Sequence, residues 1–321
     1  MSKNTKEQHR SKIGGQALIE GVMMKGADTG AMACRLPDGT IDVETWDENN
    51  GKNMPWYRKC PLVRGSFNFV ISMKDGYRCL MKSAEKQITD EEEEEEEMGK
   101  FEQWLTDKLG EKLFGVIMGI AMVIGVALSL LLFMYLPKFL IGLLINYTPV
   151  PDHLVLRSFL EGIIKIAVFL FYMGLTGCMK DIRRTYEYHG AEHKTIACHE
   201  AGDELTVENV RKHSRFHPRC GTSFIFITLI ISILVMCVVP IREPIWLRTL
   251  VSILLLPLTV GISYEFIRIA GRSNNWLTRA LSWPGLQIQR ITTREPDDSQ
   301  IECAIAAMKP CIPEDMADDQ W

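Results

Sequence analysis

Residues 113–136 read LFGVIMGIAMVIGVALSLLLFMYL, 24 uncharged and predominantly apolar positions in succession. A helix of that length crosses about 30 Å of hydrocarbon, so the stretch marks a membrane protein and excludes a single soluble domain. Lys138 ends the run, and FLIGLLINY at 139–147 is too short to span, which suits an interfacial or re-entrant piece. A second span is expected within 154–179, where the apolar core IAVFLFYMGLTGCM follows Arg157, Glu161 and Lys165. Those three share one helix face at i, i+4, i+8. Either the outer turns protrude into water and Lys165 snorkels to the headgroups, or the three form a buried polar stripe facing other helices. Residues 222–241 and 245–266 supply a third and fourth span, with Pro257 kinking the last.

Lysine and arginine orient the bundle. The 180–221 segment carries eight of them, against two in each of the stretches 137–157 and 242–248, which places that loop and both termini in the cytoplasm. Averages hide this organisation: 321 residues with 47% hydrophobic and 24% charged, at a mean hydropathy of +0.02, look ordinary. The net charge of −4 carries no message about partners, because the run DEEEEEEE at 90–97 outweighs an otherwise basic chain. Nine cysteines without a CxxC pair or a secretory signal fit reduced thiols facing the cytosol.

Outside the spans, residues 31–46 read as a β-hairpin around Pro37-Asp38-Gly39. Residues 55–85 read as an amphipathic helix, lying on the inner headgroups or packing on that hairpin. Arg268, Arg272, Trp276, Arg279 and Trp283 resemble interfacial anchors, Glu295-Pro-Asp-Asp opens a helix at 299–308, and the last dozen residues read as disordered.

The chemistry concentrates in one loop that holds five of the seven histidines. His189 and His193 lie four apart, so both imidazoles leave one helix face at the spacing that chelates a zinc ion. With Glu192 they form H-x-x-E-H, in which the glutamate can serve as general base on metal-bound water. Two histidines leave such a site incomplete. Glu200 and His199 are misplaced on a straight helix, whereas His217 and Cys220 can fold back, with His213 as a spare. An enzyme would favour His217 as third ligand and an open position; a closed set of His189, His193, His217 and Cys220 would be structural. The metal-free alternative is a positive-inside loop whose histidines bond carbonyls and lipid phosphates. No aromatic interleaving accompanies the basic residues, so nucleic acid is not expected.

The blocks GGQALIEGVMMKG (14–26), EYHGAEHKT (187–195), LTVENVRKHSRFHPRCGTSF (205–224) and QRITTREPDD (289–298) resemble the YqhQ-like family of bacterial inner-membrane proteins. That resemblance implies a multi-pass inner-membrane protein described as a predicted metal-dependent enzyme. The resulting expectation is a mainly α, polytopic membrane protein with about four transmembrane helices. Its parts are an N-terminal cytoplasmic region (1–89) with a β-hairpin, an acidic linker (90–100), spans 1 and 2 (101–179), a cytoplasmic His-rich loop (180–221), spans 3 and 4 (222–266) and a C-terminal amphipathic segment with a tail (267–321). The functional expectation is a zinc-dependent hydrolase at the cytoplasmic face, with Glu192 catalytic and a lipid-linked or membrane-peptide substrate. Two alternatives stand beside it. One is a scaffold with a structural metal; the other is a transporter built on Arg157, Glu161 and Lys165, acting as a homodimer that Gly115 and Gly119 permit as GxxxG.

Overall fold

The computed structural model describes residues 9–48, 55–87, 112–149, 151, 153–241, 244–272 and 276–320; the acidic linker lies outside them. The chain forms two compact units: one of Met1–Gln87, Phe171–Ile231 and Pro257–Trp321, the other of Ile88–Leu170 and Ser232–Leu256.

The first unit is built on a four-stranded antiparallel meander, β1 (Gly14–Leu18), β2 (Gly21–Lys25), β3 (Thr29–Arg35) and β4 (Ile41–Asp47), paired in that order. The expected hairpin is β3–β4, whose turn places Gly39 at φ 86° and closes with Asp38 Oδ1 accepting from Thr40 N and Oγ1 at 2.8 and 2.7 Å. Strands β1 and β2 were not expected. Their turn puts Glu20 at φ 50°, a conformation uncommon outside glycine, with its carboxylate held by Arg184 and by Tyr188 Oη at 3.2 Å.

Both faces of the sheet are covered. Val22, Met24, Ala31 and Ala33 pack with Tyr188, Ala191 and Ile196 of α5 (Lys180–Ala201) and with Ile301, Ala304 and Met308 of α11 (Asp298–Met308). On the opposite face Leu18, Met23, Met32 and Cys34 pack with Cys79 of α1 (Val63–Glu85), so this helix lies on the sheet. Its other face leaves Val63, Phe67, Val70, Met73 and Tyr77 exposed. Helix α11 opens with a full capping box between Asp297 and Gln300, as the Glu-Pro-Asp-Asp sequence suggested. The tail departs from the expectation of disorder: Cys311 and Asp319 are buried, and Lys12 N donates to Asp319 O at 2.8 Å.

A Cβ on Gly190 of α5 would stand 1.9 Å from the carbonyl oxygen of Arg294, so only glycine lets the helix meet the 294–296 segment. Gly190→Ala is expected to cost about 2–3 kcal/mol through overpacking, read as a lower thermal midpoint in detergent. An unchanged midpoint would show that the two segments part freely.

The second unit contains α2 (Lys112–Leu130), a π segment (Leu131–Tyr135) and α3 (Leu136–Tyr147), and begins α4 (Leu154–Thr176). From Gly119 to Tyr147 the helix is continuous over 29 residues, so 139–147 is neither a separate interfacial helix nor a re-entrant piece. Lys138 does not break it because its ammonium donates to the Met134 carbonyl one turn back, at 2.9 Å. The remaining helices are α6 (Val207–Lys212), α7 (Gly221–Val238), α8 (Ile245–Leu254), α9 (Leu256–Arg272) and α10 (Trp276–Thr292). Among the described residues two helices, Gly119–Tyr147 and Gly221–Val238, are long and apolar enough to cross a membrane, and α8 with α9 makes a third if that broken pair is one span. The break falls at Leu255, two residues before Pro257.

Candidate metal centre

Helix α5 carries the H-x-x-E-H motif into the core of the first unit, where Glu192 and His193 are buried. His189 Nδ1 faces the Thr292 carbonyl at 2.9 Å and His193 Nδ1 faces the Arg215 carbonyl at 2.6 Å. A carbonyl only accepts, so each ring carries a proton on Nδ1 and turns Nε2 toward the cluster. Fixing the tautomer by a backbone acceptor is the usual outer support of a metal-binding histidine. His189 Nε2 lies 3.2 Å from Cys220 Sγ, and the ligand atoms of His189, His193 and Cys220 all fall within 4.8 Å of one another.

Two buried polar atoms here have no hydrogen-bond partner, His193 Nε2 and Glu192 Oε2. Such orphans cost free energy unless a ligand completes them. Burial opposes a thiolate at Cys220, but the adjacent His189 and His193 outweigh it and hold the thiol well below its ordinary value. Burial likewise works against charge on His189, yet Cys220 and Glu192 push the imidazole up to about 9. Burial raises the Glu192 carboxyl, with His189 and His193 opposing. Once a metal displaces the Nε2 proton, two Nε2 nitrogens and a thiolate form a donor set that fits zinc.

His193 and Cys220 of the set face a cavity of about 100 Å³ that Glu192, His217, Arg219 and the start of β1 also line. Strand β1 closes in at Gly15, whose backbone donates to Glu192 and where a Cβ would meet the Glu192 carboxyl carbon at 3.0 Å.

His217 stands apart from the donor group. Its ring lies 5.7 Å from that of His193, but its Nε2 faces Glu200 Oε2 at 3.5 Å and Arg219 Nη2 at 3.3 Å, and Arg219 also pairs with Glu200. Glu200, set aside in the sequence as unable to reach the two histidines, engages the expected third ligand. Gln289 of α10 grips the backbone on both sides of His217, accepting from its N at 2.8 Å and donating to its O at 2.7 Å, and so aims the turn toward Cys220. Gln289 and Thr292 carried no expected role and Arg215 counted only among the basic residues that orient the loop, since nothing in their spacing announces a backbone clamp. His213 pairs with exposed Asp203 at 2.9 Å, and His199 joins His9 at Asp319.

A helical protein with apolar helices long enough to cross a membrane, a small meander sheet and a buried His-His-Cys cluster is the class these features define. The chain matches the model of a family described as a protein of unknown function (DUF1385) over residues 60–314. It is 33% identical over 295 residues to the "Uncharacterized protein YqhQ" of Bacillus subtilis (strain 168), covering 91% of this chain and 89% of that protein. The chain belongs to this YqhQ-like family. No solved structure matches it.

Proposed function

We propose that the protein is a metal-dependent hydrolase of the cytoplasmic membrane face, with zinc held by His189, His193 and Cys220 and with Glu192 as general base. The observation that carries the reading is the pair of orphaned buried atoms, His193 Nε2 and Glu192 Oε2, beside a thiol whose histidine neighbours favour its ionised form. Zinc, when bound, supplies Lewis acidity toward a carbonyl or phosphoryl oxygen and makes water a better acid. The carbonyls of Thr292 and Arg215 hold a proton on Nδ1 of His189 and His193, which leaves Nε2 of each ring to take the metal. Glu192 accepts the proton of the attacking water on Oε2 and later returns it to the leaving group. Arg219, paired with Glu200, lies on the cavity wall beside the space a substrate would enter. Three protein ligands leave a position open, which favours a catalytic over a closed structural site.

The excess of lysine and arginine in 180–221 supports a cytoplasmic loop with both termini inside. Helix α4 then serves as a further span, giving four, and a centre facing the inner headgroups would favour a lipid-linked or membrane-peptide substrate. Externally accessible Cys60 or Cys178 in intact cells would reverse the topology.

X-ray absorption on the detergent-purified full chain carrying His9→Ala, which removes the His9–His199–Asp319 cluster, is expected to show zinc with two imidazole nitrogens, one sulfur and one light ligand. Glu192→Gln is expected to keep the metal and lower hydrolysis of chromogenic ester or phosphodiester probes by about 10²–10⁴-fold. Four protein ligands, or metal content unchanged in a His189→Ala/His193→Ala variant, would end the hydrolase reading.

A further inference from the structure

A second convergence of donors lies elsewhere in the first unit. His9, before β1, and His199, on the last turn of α5, each direct Nε2 at one oxygen, Oδ2 of Asp319, at 2.8 Å. The rings meet edge to face with centroids 5.6 Å apart, and the three ligand atoms lie within 4.8 Å of one another. Asp319 is fully buried near the end of a tail whose composition suggests no order. Its other oxygen, Oδ1, accepts from Ser11 Oγ at 2.8 Å and Lys12 N at 3.1 Å. The carboxylate is therefore held in orientation through one oxygen, while both imidazoles converge on the other. Hydrogen bonding by itself does not require two rings to aim the same nitrogen at the same atom.

The geometry points to a second metal site, in which a divalent cation is bound by His9 Nε2, His199 Nε2 and Asp319 Oδ2. Binding needs only that each neutral ring carry its proton on Nδ1. Two nitrogens and a carboxylate oxygen, without sulfur, suit zinc, iron(II) or manganese(II). The Ser11 hydroxyl and Lys12 amide are the outer contacts that orient the carboxylate. Such a cation ties three distant stretches together, the first described residues, the C-terminal end of α5 and the tail, and so fastens the entrance to β1. The third cluster, Cys198, Asp203 and His213, differs in that its carboxylate, Asp203, is exposed.

The site stands independently of the His189, His193 and Cys220 centre, and metal counting separates the two. The full chain in detergent, stripped with chelator and titrated with zinc chloride, is expected to take two ions, and His9→Ala and Asp319→Asn are each expected to take one. Cobalt(II) distinguishes which site is filled, since only the cysteine centre gives a sulfur-to-cobalt charge-transfer band. A Cys220→Ser variant that still binds one cobalt without that band, and loses it on adding His9→Ala, supports the second site even if the first reading fails. Asp319→Asn can loosen the tail, so His9→Ala, altering a partly exposed side chain, is the deciding variant. Zinc stoichiometry unchanged by His9→Ala, with tail protection from proteolysis insensitive to zinc, would overturn the site and leave a hydrogen-bonded clasp.

Discussion

Cys220→Ser is expected to empty the first metal centre, weakening zinc binding about a hundredfold or more, while His217→Ala leaves occupancy near that of the unaltered protein. Structural zinc sites bind with roughly 10–16 kcal/mol shared over four ligands. One ligand is then worth about 3 kcal/mol, or about two decades of affinity. Serine keeps the size of the side chain but remains a neutral hydroxyl, so it removes the negative charge that the two histidines favour at Cys220. His217 is already engaged with Glu200 and Arg219, and its backbone is held by Gln289 whatever its side chain. Equilibrium dialysis against zinc with both variants checks this. Metal lost from His217→Ala and kept by Cys220→Ser would show that the Glu200 pair opens and that the all-histidine set expected of an enzyme from sequence is the one used.

The placement of Cys220, and not His217, beside the two histidines shows where sequence stops informing. His189, Glu192 and His193 are legible because one helix period fixes their mutual placement, and the HPRC turn is legible as a source of further ligands. Which of its two donors lies beside the histidines depends on Glu200, two turns beyond the motif and paired with a residue 17 positions later. The same limit applies to the strands. The β3–β4 hairpin announces itself through its Pro-Asp-Gly turn, but β2 is buried on both faces, so VMM shows no alternation and its turn uses Glu20 in place of glycine. The tail looked disordered because it contributes little apolar surface; its anchor is a single buried carboxylate whose partners lie 120 and 310 residues away. Apolar length is the most visible signal of all, yet it does not decide how the charged turns of α4 are used.

Those turns belong to a buried ion cluster. Arg248 of α8 is fully buried and reaches Glu161 of α4 through Nε at 2.9 Å and Nη2 at 3.2 Å, while Nη2 also donates to Ser158 Oγ at 2.8 Å and Nη1 to the Ile241 carbonyl. Arg157 approaches the same carboxylate at 3.7 Å, and buried Lys138 belongs to the same unit. The polar stripe therefore faces inward, and the reading in which these turns protrude into water does not hold for Arg157 and Glu161. Glu161→Ala is expected to destabilise the protein by about 3–5 kcal/mol, because it strands a desolvated guanidinium among other cations. Removing both partners is milder: Glu161→Leu with Arg248→Met takes both charges out of the interior, and the double variant should lose less than either single one. Reversible unfolding in mixed detergent micelles measures all three. Additive losses would mean that the pair is not coupled, and a Glu161→Ala loss under about 0.5 kcal/mol would return these residues to water.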